Sequence, residues 1–248
     1  MGSKLLSVLI GFLLGTACTP QSSLTNLSKD TSLTIDSNIS PDPVAVNIIA
    51  PYKIQLDREM GTIIGKATSR LEKQLKESSL GNLVADIIFG SGATYYQKPI
   101  DFSIVSLNEM NSALEKGPIR KSDIYELMPN EHKLCILELN SIQLQELLEY
   151  QVNKENLSFG NAVLVVKGKR PLKLFIGGQP FNKEQTYTLA VSDFLANGGG
   201  GMDFLKHAKS IQKLEVTIRD LIFDYMAAQQ QAGESIEASI EGRIKILP

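Results

Sequence analysis

Glu77-Ser78-Ser79-Leu80-Gly81-Asn82-Leu83-Val84-Ala85-Asp86-Ile87-Ile88 is the stretch from which the fold is read. A helix leaves its first N–H groups without intrahelical partners, and a hydroxyl just before it satisfies one of them. Ser78 or Ser79 is placed to do this. Leu83, Val84, Ile87 and Ile88 follow at i, i+1, i+4 and i+5, one face of a 3.6-residue period. The stretch predicts a helix over 80–89 with that face against a core.

Working outward, 101–105 and 134–139 read as strands. Asn140 with Gln143 has the spacing of a capping box, and Leu144, Leu147, Leu148 and Val152 form the buried stripe of a helix over 142–152. Strands follow at 163–166 and 172–176, and Gly177-Gly178 suits a tight turn after them. Ile218, Leu221, Ile222 and Tyr225 mark a last helix over 218–228, and 241–244 reads as a closing strand. Upstream, 52–56 alternates like a strand, and Ser69-x-x-Glu72 has capping-box spacing with Leu71 and Leu75 on one face of a helix.

The second informative stretch is Ser192-Asp193-Phe194-Leu195-Ala196-Asn197-Gly198-Gly199-Gly200-Gly201-Met202-Asp203, entered from the period-2 strand 186–191. Four glycines past a strand are either a flexible hairpin tip or a loop whose backbone must take positive φ or approach something closely.

Both stretches resemble the C-terminal, substrate-binding domain of the 5′-nucleotidase family. Its first helix carries Glu-Ser-x-Leu-Gly-Asn-Leu-x-Ala-Asp, and its loop reads Phe-Leu-Ala-x-Gly-Gly-Asp-Gly. Arg219-Asp220 and Gly242-Arg243-Ile244 are also similar to the family, so the resemblance covers about 52–246. It implies an α+β fold with antiparallel sheets and covering helices. It further implies a concave site for a nucleoside or nucleotide-like small molecule, lined by Phe194, Asn130, Asn111, Asn108 and the glycines Gly198, Gly199 and Gly200.

The departures from the family pattern fall at that site. Where the family has Asn-x-Gly-Gly-Ile-Arg for the phosphate end, this chain has Ser106-Leu107-Asn108-Glu109-Met110-Asn111. A guanidinium is a permanently charged fork for phosphate. Asn111 offers a neutral amide instead, and Glu109 is expected to add repulsion. Pro-Phe-x-Asn becomes Pro129-Asn130-Glu131-His132, which removes the family's second stacking aromatic. Gly200 stands where the loop has Asp.

With 248 residues, 43% of them apolar, the chain is long enough to bury a core. A net charge of −2, with charges interspersed, gives no nucleic-acid footprint. A two-metal phosphoesterase site needs clustered His and carboxylate ligands. The chain has only His132 and His207, each most simply a surface residue, and neither a Gly-x-Ser-x-Gly elbow nor a P-loop. No metal ligands and no catalytic residues are therefore assigned. Divalent metals are expected only in a separate metallophosphatase partner.

At the N-terminus, Lys4 precedes an apolar run from Leu5 to Leu14, too short to span a bilayer, and then Gly15-Thr16-Ala17-Cys18. This resembles a bacterial lipobox, which would make 1–17 a signal peptide and Cys18 the lipidated residue; an ordinary secretory signal cut nearby is the alternative. Residues 18–51, rich in Ser, Thr, Asn, Asp and Pro, read as a tether, with a late edge strand at 44–49, and 52–248 as the domain. Cys135 is left as a buried small hydrophobe. The expectation is a lipid-anchored domain of the cell envelope, facing the periplasm or exterior, that serves nucleotide catabolism with the separate metallophosphatase. The alternatives are a degenerate ligand-binding or protein-interaction lipoprotein, or a structural one without ligand.

Overall fold

A five-stranded sheet forms the centre of the structure, a computed structural model that describes residues 39–248. In chain order the elements are helix α1 (Pro43–Met60), β1 (Ile63–Ala67), α2 (Ser79–Tyr96), β2 (Phe102–Ser106), β3 (Gly117–Arg120), α3 (Lys121–Leu127), β4 (Lys133–Leu139) and α4 (Ser141–Lys154). They continue with β5 (Leu157–Gly160), β6 (Ala162–Lys167), β7 (Arg170–Ile176), β8 (Gln179–Pro180), β9 (Tyr187–Ser192), α5 (Asp193–Ala196), β10 (Ser210–Thr217), α6 (Ile218–Ala232) and β11 (Ile244–Leu247). The central sheet has the order β10-β4-β9-β2-β5, a second sheet β11-β6-β7-β8, and β1 pairs with β3. Most pairs are antiparallel; β2 with β9 and β11 with β6 run parallel.

Alternation along the central strands divides the interior in two. Leu134, Ile136, Val105 and Ala190 face one core, which α2 and α6 cover. Cys135, Leu137, Ile104, Leu189 and Val191 face the other, which α4, the second sheet and the segment after α5 close. Successive side chains of a strand point to opposite faces, so a sheet buried on both sides reads as a continuous apolar run rather than a clean alternation. That is why 134–139 looks uniformly apolar.

The expected helix is present. Ser78 supplies the cap, its Oγ accepting from Gly81 N at 2.9 Å, and Leu83, Val84, Ile87 and Ile88 are buried. Asn140 caps α4 through Ile142 N and Gln143 N, with Gln143 completing the box, and Thr217 caps α6. Gly177 and Gly178, at φ 57° and 76°, make the turn between β7 and β8.

Four local expectations are corrected. The closing strand expected at 241–244 is β11 at Ile244–Leu247, because the backbone at 241–242 is held by Glu77 instead of a strand partner. Residues 44–49 and 52–56 are not strands but lie within α1. Asp42 Oδ1 accepts from Val44 N at 2.7 Å and Pro43 sits at the first helical position, a start signal that outweighs the β-branched residues. The Ser69-x-x-Glu72 segment is extended: Leu71 exchanges backbone bonds with Leu114, while Ser78 and Ser79 take the backbone O and N of Glu72. β5, α3 and β10 had no strong signal in the sequence. Cys18, the leader and the first part of the tether lie outside the described residues.

Gly81 faces Ser158 on β5, and a Cβ there would stand 2.0 Å from Ser158 Oγ. Overpacking a core costs about 1–3 kcal/mol. Gly81→Ala should therefore lower the urea midpoint despite its better helix propensity, and Ser158→Ala in the same chain should recover part of the loss. Additive losses in the double variant would show that the two groups do not clash.

Candidate functional site

β9 ends at Ser192, whose Oγ accepts from Leu195 N at 3.2 Å and starts the one-turn helix α5. Leu195 and Ala196 go into the core, and Phe194, on the opposite side of that turn, is left 39% exposed. The glycines after it are held, not slack. Gly198, Gly200 and Gly201 have φ of 85°, 66° and 88°, which side chains other than glycine rarely adopt. Tyr150 Oη donates to Gly200 O at 3.0 Å. A Cβ on Gly199 would lie 2.6 Å from Cε1, Cε2 and Cζ of Phe194, so the Gly199 backbone packs on the ring face. Of the two readings of the glycine run, close approach describes it.

His132, Asp193, Phe194, Asn197, Gly198 and Gly199 wall an open cavity of about 420 Å³. The His132 ring stacks on Phe194 with centroids 5.1 Å apart and planes at 28°. His132 thus brings a ring against Phe194, two positions after Asn130, which stands where the family has Phe. Arg219 holds this segment in place. Buried at the start of α6, it stacks on Tyr125 and donates to Met128 O, Pro129 O and Glu131 Oε1.

The Asp193 carboxylate lies 2.6 Å from Lys213 Nζ and 3.6 Å from His132 Nδ1. Burial works against its ionisation, but the hydrogen bonds from Lys213 and from Lys133 N–H, with the charges of Lys213 and His132, outweigh it and hold the carboxyl below its usual range. Asp193 therefore stays an anion, and a charged His132 would be drawn toward it. Lys213 is committed to this pair.

Of the residues expected to line one site, Phe194, Gly198 and Gly199 come together in this cavity. Gly200 is turned toward Tyr150. Asn108, Asn111 and Asn130 are exposed and are not among its walls. His132, Asp193 and Asn197 were missed; the only signal for Asp193 and Asn197 was adjacency to Phe194 and the glycines. Glu109 also differs from expectation. It is 3% exposed, Oε2 accepts from Ser106 N at 3.1 Å, and Oε1 has no hydrogen-bond partner. Burial pushes its carboxyl up to about 7, partly offset by the Ser192 hydroxyl and Ser106 N–H, with the Asp193 charge adding to the rise. Among the described residues no group of three or more His, Cys, Asp or Glu is placed to hold a metal ion.

Comparison with known proteins bears on the family and the fold. The family described as 5′-nucleotidase, C-terminal domain, matches residues 59–207. Protein UshA of Yersinia enterocolitica is 26% identical over 173 residues, covering 66% of this chain and 30% of that protein. Endonuclease YhcR of Bacillus subtilis is 26% identical over 228 residues, 85% of this chain and 17% of its own length. Among solved structures, the 5′-nucleotidase precursor from Thermus thermophilus superposes with a TM-score of 0.71 at 23% identity, over 82% of this chain and 43% of that one. At that identity the likeness establishes a shared fold. The chain spans less than half the length of each of these relatives.

Glu109 yields a pH dependence with a definite sign. A folded pKa of about 7, against an ordinary value of 4.5, means that the folded chain keeps a proton that the unfolded chain releases. Stability should then fall as pH rises from about 4.5 to 7 and level off above, by on the order of 3 kcal/mol. Glu109→Gln should flatten the urea midpoint across that window. An unchanged slope in the variant would place the titration elsewhere.

Proposed function

The chain belongs to the 5′-nucleotidase C-terminal domain family, and from that premise we propose that it is a nucleoside-recognising domain that works with a separately encoded metallophosphatase in nucleotide catabolism. The observation that carries this is Phe194, a partly exposed ring on a cavity wall, raised by α5 and backed by a glycine that leaves no room for a side chain. A flat heterocycle stacked on such a ring gains about 1–3 kcal/mol. The divalent metals would belong to the partner. Anchoring through a lipidated Cys18 would hold the domain at a membrane of the cell envelope.

The cavity favours a neutral ligand over a phosphorylated one. Lys213 is engaged by Asp193, and the Asp193 carboxylate itself stands in the wall. Lys121, ten residues past the departed arginine position, pairs with Glu59.

One observation favours the alternative, a repurposed ligand- or protein-binding pocket. A base held between two rings needs two contact distances of about 3.5 Å, so centroids about 7 Å apart. His132 and Phe194 are already in contact at 5.1 Å. A nucleoside would have to displace His132 or stack outside the pair.

Calorimetry with adenosine and AMP separates the two. Weak adenosine binding, lost in Phe194→Ala and not exceeded by AMP, is the expected result. AMP binding tighter by tenfold would refute the preference for a neutral ligand, and no binding of either would support the repurposed pocket. Separately, Cys18→Ser should move the protein from the membrane to the soluble fraction, because one residual acyl chain or none anchors only marginally. A wild-type protein already found in the soluble fraction would refute the anchor.

A further inference from the structure

On the second sheet, β8 pairs with β7 only at Phe175 and Ile176. Among the described residues, the outer edge of β7 from Arg170 to Lys173 has no strand beside it, and a cavity of about 550 Å³ opens between this edge, β8 and α4. Leu148 from α4 and Leu174 from β7 form its base, Phe175 and Phe181 its sides, and Leu172, 50% exposed, its lip. The volume falls within the range of small-molecule sites, about 300–1,000 Å³. It shares no wall with the cavity at Phe194.

The charge here is one-sided. Residues 156–183 contain Lys167, Lys169, Arg170, Lys173 and Lys183 and no Asp or Glu, in a chain whose net charge is −2. Lys173 and Lys183 stand in the wall, which includes no carboxylate. An adjoining cavity of about 390 Å³ shares Gln145 and Pro171 and adds Lys169 and Arg170, opposed by Glu149 alone. A free strand edge invites a peptide strand, but Pro171 has no N–H to donate and Leu174 O already accepts from Phe181 N. A continuous ladder cannot form there.

We propose that this cavity is a second ligand site, for an amphipathic anion: one apolar tail against Leu148, Leu174 and Phe175, and an anionic head between Lys173 and Lys183. The same chemistry is presented by a free fatty-acid anion and by an anionic lipid at a membrane surface. The test uses the Cys18→Ser chain, so that no lipid anchor holds it to vesicles. It titrates this chain with decanoate below its micelle concentration, with 1-decanol as the neutral control, and co-sediments it with phosphatidylglycerol and with phosphatidylcholine vesicles. Two variants with changes at exposed positions spare the core: Lys173→Glu with Lys183→Glu, and Leu172→Asp.

The expected result is saturable binding of decanoate at one site, or retention on phosphatidylglycerol vesicles alone, with the first identifying a free amphiphile and the second a membrane lipid as the source. Either should weaken about tenfold in both variants and be unchanged in Phe194→Ala. Equal affinity for decanol, equal retention on phosphatidylcholine, binding unchanged in the variants, or no saturable binding of either probe would overturn the proposal.

Discussion

The domain closes on a single buried carboxylate. Glu77 Oε1 accepts from Asn82 Nδ2, Glu241 N and Gly242 N, at 2.7–3.1 Å, from a position just before α2. Two residues past Gly242, the same segment becomes β11 and pairs in parallel with β6. Arg243 adds a bidentate pair to Asp86 on α2 and a bond to Phe159 O on β5. A carboxylate taken out of water is tolerable only when its lone pairs are filled, and hydrogen bonds to a charged group contribute on the order of 1.5–3 kcal/mol each. Helix, central sheet and second sheet are joined at this one point, and the second core is sealed only when the last strand is in place.

This also shows why the string around Glu77 was so informative. Three of its letters are poor helix formers, and each answers a partner instead: Gly81 is there for Ser158, Asn82 for Ser239 O and Glu77, and Asp86 for Arg243. Each choice is dictated by a partner far away in sequence, so the string specifies a tertiary contact while looking like local structure. Caps were legible for the opposite reason. Ser78, Asn140 and Thr217 act within three residues of themselves. Segments whose conformation is set by remote neighbours were not legible: Leu71 is extended because Leu114 and the hydroxyls of Ser78 and Ser79 engage its surroundings, and no periodicity encodes that.

The candidate site was legible in one half. Phe194 and the glycines carry their geometry in the chain itself, through a cap, positive φ and a ring against a backbone. The other half depends on what the partner segments place opposite. His132 gave no signal as an isolated histidine, and it meets Phe194 only because β4 pairs with β9 and Arg219 holds 128–131 from α6. Glu109, which in sequence looked like a charge facing the ligand, turns inward and bonds its own 3₁₀ turn. Sequence spacing indicated which loops meet, not which side chains in them point at each other.

The bond between Glu77 and the backbone at 241–242 spans more than 160 residues. During synthesis the chain emerges from its N-terminus, so α2 and most of the central sheet exist before the segment that stitches them arrives. Until then Glu77 is hydrated, Asp86 unpaired and the β6 edge open. Contacts this distant in sequence are formed late and make folding slow, because the entropy of closing so long a loop precedes any gain from it. The domain thus stays incomplete, one edge of its second sheet unpaired, until residues 241–247 have been made.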